Sequence, residues 1–431
     1  MTQREEITYF GAGPALLPTP VLQTAAQALV NYNGTGLGLA EHSHRSKIAE
    51  DVLNTAKADL ATYLDIPDNY EVLFMQGGGS GEFSATVYNM VGIWVEKRKQ
   101  KILKELGIAE GKDISEDVIA TELRKAVEEE LKIDYLVTGS WSLKASQEAA
   151  RLLGPEYVNI ATDSRKINDG KFGKIPEEKS WNLSKNPAMV YYCDNETVDG
   201  VEFPGFPEVL KSNGQDEEPI VVADMSSNIL SRRIPVKNFS LIFFGAQKNL
   251  GCTGVTVVII KKSLLPPTIA TPSPSLMRKL GLPIGPIVLS YETIAKNNSL
   301  YNTLSIFDVY IAGQVLKSLL KTFSDKVDGQ QAIAEKKANL IYAALDAHSN
   351  VYKVVSDKSA RSRMNICFRV TKSQDVAESE KQFIAGAEKI GLTGLKGHRS
   401  VGGIRASNYN SISLEGAEKL AAFINSFAES K

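Results

Sequence analysis

Between about residues 70 and 260 the chain alternates short, β-rich apolar runs with helical stretches, and that rhythm leaves few folds open. The runs are 72–75, 135–137, 190–193, 220–223, 241–244 and 255–260. Unbroken apolar runs of this length read as strands buried on both faces, and helix-length connections between them favour parallel pairing with helices crossing over the sheet. The expected class is α/β: a large domain with a mainly parallel sheet flanked by helices, plus a smaller α/β C-terminal domain. Such sheets bind ligands beyond the carboxyl ends of their strands. The residues following these runs are Gly77-Gly78-Gly79, Ser140-Trp141, Asn195-Glu196-Thr197, Asp224 and 245–249. Unusual chemistry therefore clusters where the fold places a site.

At 431 residues the chain exceeds what one core usually organises. Residues 18–326 are expected to form the large domain, and 1–17 with 327–431 the small one. In the tail, helical stretches such as 330–347 surround short strands such as 363–370. A highly charged block, 95–133, interrupts the alternation. Within it Ile119, Leu123, Val127 and Leu131 recur every fourth position and line one helical face, so the block reads as a surface helical insertion rather than a linker. The prolines at 266, 267, 272 and 274 predict a long loop.

Composition removes several classes of function. Lys plus Arg number 49 against 50 Asp plus Glu, a net charge of -1, which gives no electrostatic footprint for nucleic acid. Cys193, Cys252 and Cys367 are odd in number and far apart, suggesting neither a disulfide framework nor a metal site. No run approaches the roughly 20 apolar residues of a membrane-spanning helix, and the first residues lack the apolar core of a secretion signal. A cytoplasmic protein without a membrane partner is expected.

Asp224 ends one apolar strand and Lys248 lies just past the next. Neighbouring parallel strands would bring carboxylate and amine to one rim, the pair that pyridoxal-phosphate (PLP) chemistry requires: an amine to engage the aldehyde and an acid to keep the ring nitrogen protonated. Taken singly, each is equally a turn residue or a surface lysine. Residues 77–81, Gly-Gly-Gly-Ser-Gly, precede a helical run expected to start near Glu82. Glycine amides at a helix start cradle a phosphate, and Ser80 adds a hydroxyl; a flexible turn is the plain alternative. Trp141 could lie flat on a pyridine ring or be a core aromatic. His44, Arg45, His398, Arg399 and Arg405 suit a substrate carrying a carboxylate and a phosphate, or take part in ordinary salt bridges.

Together the segments FGAGPALLP, EHSHRSK, FMQGGGSGEF, VTGSWS, CDNETVDG, VVADMSSN, FFGAQKNLG, YNT and GHRSVGGIRASNYN, in this order over nearly the whole chain, make it resemble the phosphoserine aminotransferase family. That family is homodimeric, of the fold-type I PLP class. The resemblance implies that Lys248 holds PLP, Asp224 pairs with the pyridine nitrogen, Trp141 stacks on the ring and Thr197 contacts the ring hydroxyl. It implies that Gly79, Ser80 and Gln247 bind the cofactor phosphate, with Asn302 and Thr303 contributed by the second subunit. Arg405 would hold the substrate α-carboxylate, and His44, Arg45, His398 and Arg399 the substrate phosphate, some across the dimer. Two departures stand out: Ser80 occupies a position that is arginine in some relatives, and Ala12 one that is serine in others.

The implied reaction moves an amino group from L-glutamate to 3-phosphohydroxypyruvate, giving O-phospho-L-serine and 2-oxoglutarate in serine biosynthesis. The alternatives are another fold-type I enzyme, of alanine–glyoxylate aminotransferase or cysteine desulfurase type, and a non-catalytic phosphometabolite-binding protein.

Overall fold

The computed structural model describes residues 3–108, 115–212 and 218–430. Its centre is a seven-stranded sheet in the order Tyr70–Met75, Thr256–Lys261, Leu241–Gly245, Val221–Asp224, Met189–Cys193, Ile133–Val137, Val158–Asp163. From Leu241–Gly245 to Val158–Asp163 all pairings are parallel. Thr256–Lys261 runs antiparallel to both its neighbours, so the sheet is mainly rather than wholly parallel. The strand Val158–Asp163 is absent from the runs read in the sequence. Its first three residues are only half-buried at the sheet edge, which explains the missing apolar signature.

The alternation within strands sorts side chains onto two faces. Leu241 and Phe243, Tyr191 and Cys193, and Val258 and Ile260 join one core, with the helices Gly78–Glu105, Glu116–Glu130 and Ser140–Leu153 packed over it. Ile242 and Phe244, Val190 and Tyr192, and Val257 and Ile259 join the other, under Lys47–Leu64 and Ile306–Thr322. A fully buried Leu, Ile, Val or Phe contributes roughly 1.5–3 kcal/mol, against about 0–1 kcal/mol for an exposed ion pair. Packing on the two faces therefore fixes the layers.

The charged block 95–133 is less of an excursion than its composition suggests. Residues 95–105 continue the long helix Gly78–Glu105, and Ile133 opens a central strand. Ile119, Leu123, Val127 and Leu131 are all buried in the first core; residues 109–114 of the block lie outside the described residues.

A third core lies under the antiparallel sheet Tyr352–Val354, Asn365–Val370, Ile404–Ser407. Phe368, Phe383 and Phe423 pack edge to face within it, with centroids 5.0–5.6 Å apart in successive pairs. Phe10 belongs to this core, and Thr8–Tyr9 pairs in parallel with Leu392–Thr393. The helix read over 330–347 spans Val327–Ala347, and the strand read over 363–370 spans Asn365–Val370. Among the described residues, no helix is long and apolar enough to cross a membrane, and no group of three or more His, Cys, Asp or Glu side chains is placed to hold a metal ion.

Candidate active site

Asp224 and Lys248 meet at the carboxyl rim because their strands are parallel neighbours, with Asp224 opposite Phe243 in the register. The loops beyond are tied together: Gly245 N donates to Ser226 Oγ (3.2 Å) and Asn249 Nδ2 to Ile229 O (2.8 Å). Asp224 is buried, and its Oδ1 accepts from Ser226 N (2.8 Å). Burial pushes its carboxyl pKa up, against the Ser226 hydrogen bonds and the charge of Lys248. Lys248 Nζ donates to Thr197 Oγ1 (2.7 Å). Burial lowers its pKa to about 8; Asp224 opposes that shift, and Arg405 adds to it.

The glycine segment sits beside the acid. A side chain on Gly79 would begin 3.8 Å from Asp224 Oδ2 and 3.7 Å from Ser226 Oγ. The helix starts at Gly78, not near Glu82 as expected, so Gly79, Ser80 and Gly81 form its first turn. Gly77 (φ 119°) and Gly78 (φ 64°) take left-handed backbone that turns the chain from strand into helix. Gly78 N is used by Thr256 Oγ1 (2.8 Å). The amides of Gly79 and Ser80 make no hydrogen bond among the described residues.

Trp141 stands in the first turn of Ser140–Leu153, half-buried, its ring 6.3 Å from that of Phe83. The Nζ of Lys144, one turn on, lies 4.3 Å from the indole centroid. Lys144 is a residue the sequence reading missed, although its i+3 spacing from Trp141 was visible. Arg405, on the strand Ile404–Ser407, donates from Nη1 to Thr197 O (3.2 Å) and so reaches the same rim. His398 is near: burial lowers its pKa, and Arg405, Lys144 and Arg399 push the same way.

The N-terminal segment also arrives here, which the sequence reading did not foresee. Ala15 N donates to Gln247 O (2.9 Å), and Tyr409 Oη donates to Ala12 O (2.9 Å). Gly13, at φ 130°, passes so close that a side chain would begin 3.5 Å from Lys248 Cε.

The fold does not bring every expected residue together within one chain. His44 and Arg45 precede the helix Lys47–Leu64, and among the described residues no hydrogen bond or ion pair joins them to 398–405. The buried Nε2 of His44 has no hydrogen-bond partner among the described residues. Asn302 Nδ2 donates to Gln76 Oε1 (2.9 Å), and Thr303 O accepts from Gln76 Nε2 (3.3 Å), in the turn before the glycines.

Comparison with known proteins agrees over the full length. The class-V aminotransferase family model matches residues 7–109 and 111–420. Phosphoserine aminotransferase of Saccharomyces cerevisiae is 44% identical over 430 residues, covering 99% of this chain and 98% of its own. Among solved structures, phosphoserine aminotransferase from Bacillus circulans subsp. alkalophilus aligns with a TM-score of 0.79 at 35% identity, covering 98% of this chain and 99% of that one. The PLP-bound enzyme from Trichomonas vaginalis aligns at 0.77 and 31% identity, covering 97% and 99%. A chain that matches such proteins from end to end, and folds as they do, belongs to the phosphoserine aminotransferase family of class-V aminotransferases.

Proposed function

We propose that this chain transfers the amino group of L-glutamate to 3-phosphohydroxypyruvate with PLP as cofactor, and that buried Asp224 and half-buried Lys248, brought to one rim, carry that reading. The residues fit PLP at its three polar features. The aldehyde would be held by Lys248, whose amine is desolvated and hydrogen-bonded to Thr197. The ring nitrogen would be held by Asp224, a buried acid that burial leaves short of positive charge. The phosphate has two helix starts to choose from. That of Ser140–Leu153 is filled by the chain's own carboxylates, since Ser140 N donates to Asp199 and Trp141 N to Glu196. That of Gly78–Glu105 offers the Gly79 and Ser80 amides, so the phosphate belongs there, with Gln247 and with Asn302 and Thr303 of the partner subunit.

When bound, PLP supplies an electron-accepting ring that takes up the charge left as the substrate Cα loses its proton. The protein's part is to hold and move protons. Lys248 Nζ takes the α-proton of the amino donor in the first half-reaction and returns a proton to Cα of the acceptor in the second. Asp224 would hold the ring nitrogen protonated, Trp141 would pack on the ring face, and Thr197 would meet the ring hydroxyl. Arg405 binds the α-carboxylate in both half-reactions. His398 and Arg399, with His44 and Arg45 reaching across a homodimer, bind the phosphate that distinguishes the acceptor. Among the described residues no hydrogen bond or ion pair joins the two groups within one chain, and that supports such a dimer. The division into 18–326 and 1–17 with 327–431 is proposed alongside, supported by the third core and the pairing of Thr8 with Leu392. We place the protein in the cytoplasm, in keeping with three free cysteines.

Purified protein loaded with PLP should show visible absorbance that shifts on adding L-glutamate. The amino group should then pass to 3-phosphohydroxypyruvate with a kcat/KM roughly 10²-fold or more above that for pyruvate or glyoxylate, because acceptors without phosphate leave the cationic groups unpaired. No spectral response to glutamate removes the transaminase reading; equal rates with unphosphorylated acceptors remove the phosphate specificity and favour an alanine–glyoxylate type.

The lowered pKa of Lys248 predicts a pH dependence. Below about 8 the amine holds its proton, and above it the nucleophilic neutral form dominates. Capture of PLP by cofactor-free protein, followed by stopped-flow absorbance, should accelerate as pH rises through about 8 and level off above it. An ordinary lysine would still be accelerating near pH 10.

A further inference from the structure

Two acids outside the proposed chemistry converge on one helix start. Glu196 is fully buried, one residue before Thr197, in a short strand pair with Val201–Glu202. Its Oε2 accepts from Trp141 N (2.9 Å); its Oε1 accepts from Ser142 N (2.9 Å) and Ser142 Oγ (2.5 Å). Asp199, also buried, accepts from Ser140 N at Oδ2 (2.6 Å). Ser142 Oγ completes the set by accepting from Thr138 N (3.0 Å) and Gly139 N (3.2 Å). The helix start is thus saturated from a segment more than fifty residues away, whereas an ordinary N-cap is local. Contact is so close that a side chain on Gly139 would begin 2.4 Å from Glu196 Cδ.

We propose that Glu196, assisted by Asp199, is a positioning residue that sets the Trp141 indole against the cofactor ring. One rigid carboxylate locks the helix carrying Trp141 to the strand end carrying Thr197, and Thr197 in turn holds Lys248 Nζ. Ring-stacking and ring-hydroxyl groups therefore share one anchor. A capping role alone would be met by any hydrogen-bonding side chain at the helix start. Here two carboxylates leave the opposite wall of the rim and accept from three consecutive residues, 140–142, two of which flank the indole. A buried carboxyl group receiving three N–H or O–H donors is held in a single orientation, and the geometry passes to Trp141 through its own amide.

The inference rests on the PLP reading above, and its test separates the two. Glu196→Gln keeps the side chain's shape, but its amide NH₂ faces donors that need acceptors. PLP affinity is measured by titrating cofactor-free protein, and ring seating by the circular dichroism of bound PLP in its visible band. The parent protein binding no PLP overturns the functional reading itself. If the parent binds PLP, E196Q should bind it roughly 10- to 100-fold more weakly, with an altered visible circular dichroism band and unchanged far-ultraviolet spectrum. The same replacement made on Trp141→Ala should weaken PLP binding by less than half as much, on a logarithmic scale, as it does in the parent, because the group it positions is already gone. Unchanged affinity and dichroism in E196Q, or full additivity with Trp141→Ala, overturns the positioning role. Should E196Q fail to fold, Asp199→Asn removes only the anionic acceptor of Ser140 N and is read the same way. It should weaken PLP binding roughly 3- to 10-fold, and an unchanged affinity overturns the proposal.

Discussion

Lys248→Ala should lower steady-state turnover by at least about 10³-fold, because it removes both the amine that engages the aldehyde and the base that moves the α-proton. The protein should remain folded. Among the described residues Lys248 Nζ makes one side-chain hydrogen bond, to Thr197 Oγ1, and burial disfavours its charged form. Removing it relieves a desolvated ammonium rather than a structural link. The melting temperature of cofactor-free protein should stay within about 1 °C of the parent, the shift expected for no more than about 1 kcal/mol in a chain of this size. Since the missing group is a small amine at a site open to the rim, added methylamine should restore part of the lost rate, and more of it as pH rises and methylamine deprotonates. Turnover within about ten-fold of the parent, a difference of only about 1.4 kcal/mol in barrier, would remove Lys248 from the chemistry.

Much of this site is legible in the sequence because it lies at strand ends, and strand ends are what a βα rhythm announces. Asp224 and Lys248 fall at the ends of adjacent apolar runs, and parallel pairing alone brings them together. The glycines declare a helix start through their composition, yet the start itself lies four residues earlier than read. Left-handed backbone at Gly77 and Gly78 lets the helix begin inside the glycine run, and glycine there mimics a loop.

What was illegible depends on partners distant in sequence. Nothing in the local pattern says that Glu196 reaches the amide of Trp141, 55 residues away, or that Gly13 passes Lys248. The reversed direction of Thr256–Lys261 was hidden as well, because a strand buried on both faces reads the same in either sense. His44 and Arg45 were legible as residue types but not as neighbours of 398–405. One chain does not unite them, and a second copy is the proposed means.

Asp224→Asn should separate the needs of catalysis from those of the fold, with effects of opposite sign. A carboxyl whose pKa is raised on folding contributes its stability at low pH, where it is protonated in both states, and loses it as pH rises through the folded-state value. At neutral pH the raised pKa of Asp224 therefore weakens the cofactor-free fold. Asparagine keeps the shape, can still accept from Ser226 N through its amide oxygen, and carries no charge. Cofactor-free D224N should melt at or above the temperature of the parent. Catalysis should fall steeply, because an uncharged amide cannot hold the proton on a ring nitrogen. Leaving a buried charge without its partner costs about 3–5 kcal/mol, which corresponds to a fall in kcat of roughly 10²- to 10⁴-fold. PLP affinity should weaken in the same direction. A variant that loses cofactor-free stability while keeping near-parent kcat would make Asp224 a structural acid, and the ring nitrogen would have to be sought elsewhere on the rim. The expected pattern instead marks a residue retained at a cost to the empty fold, as is found where a site is shaped for a ligand rather than for packing.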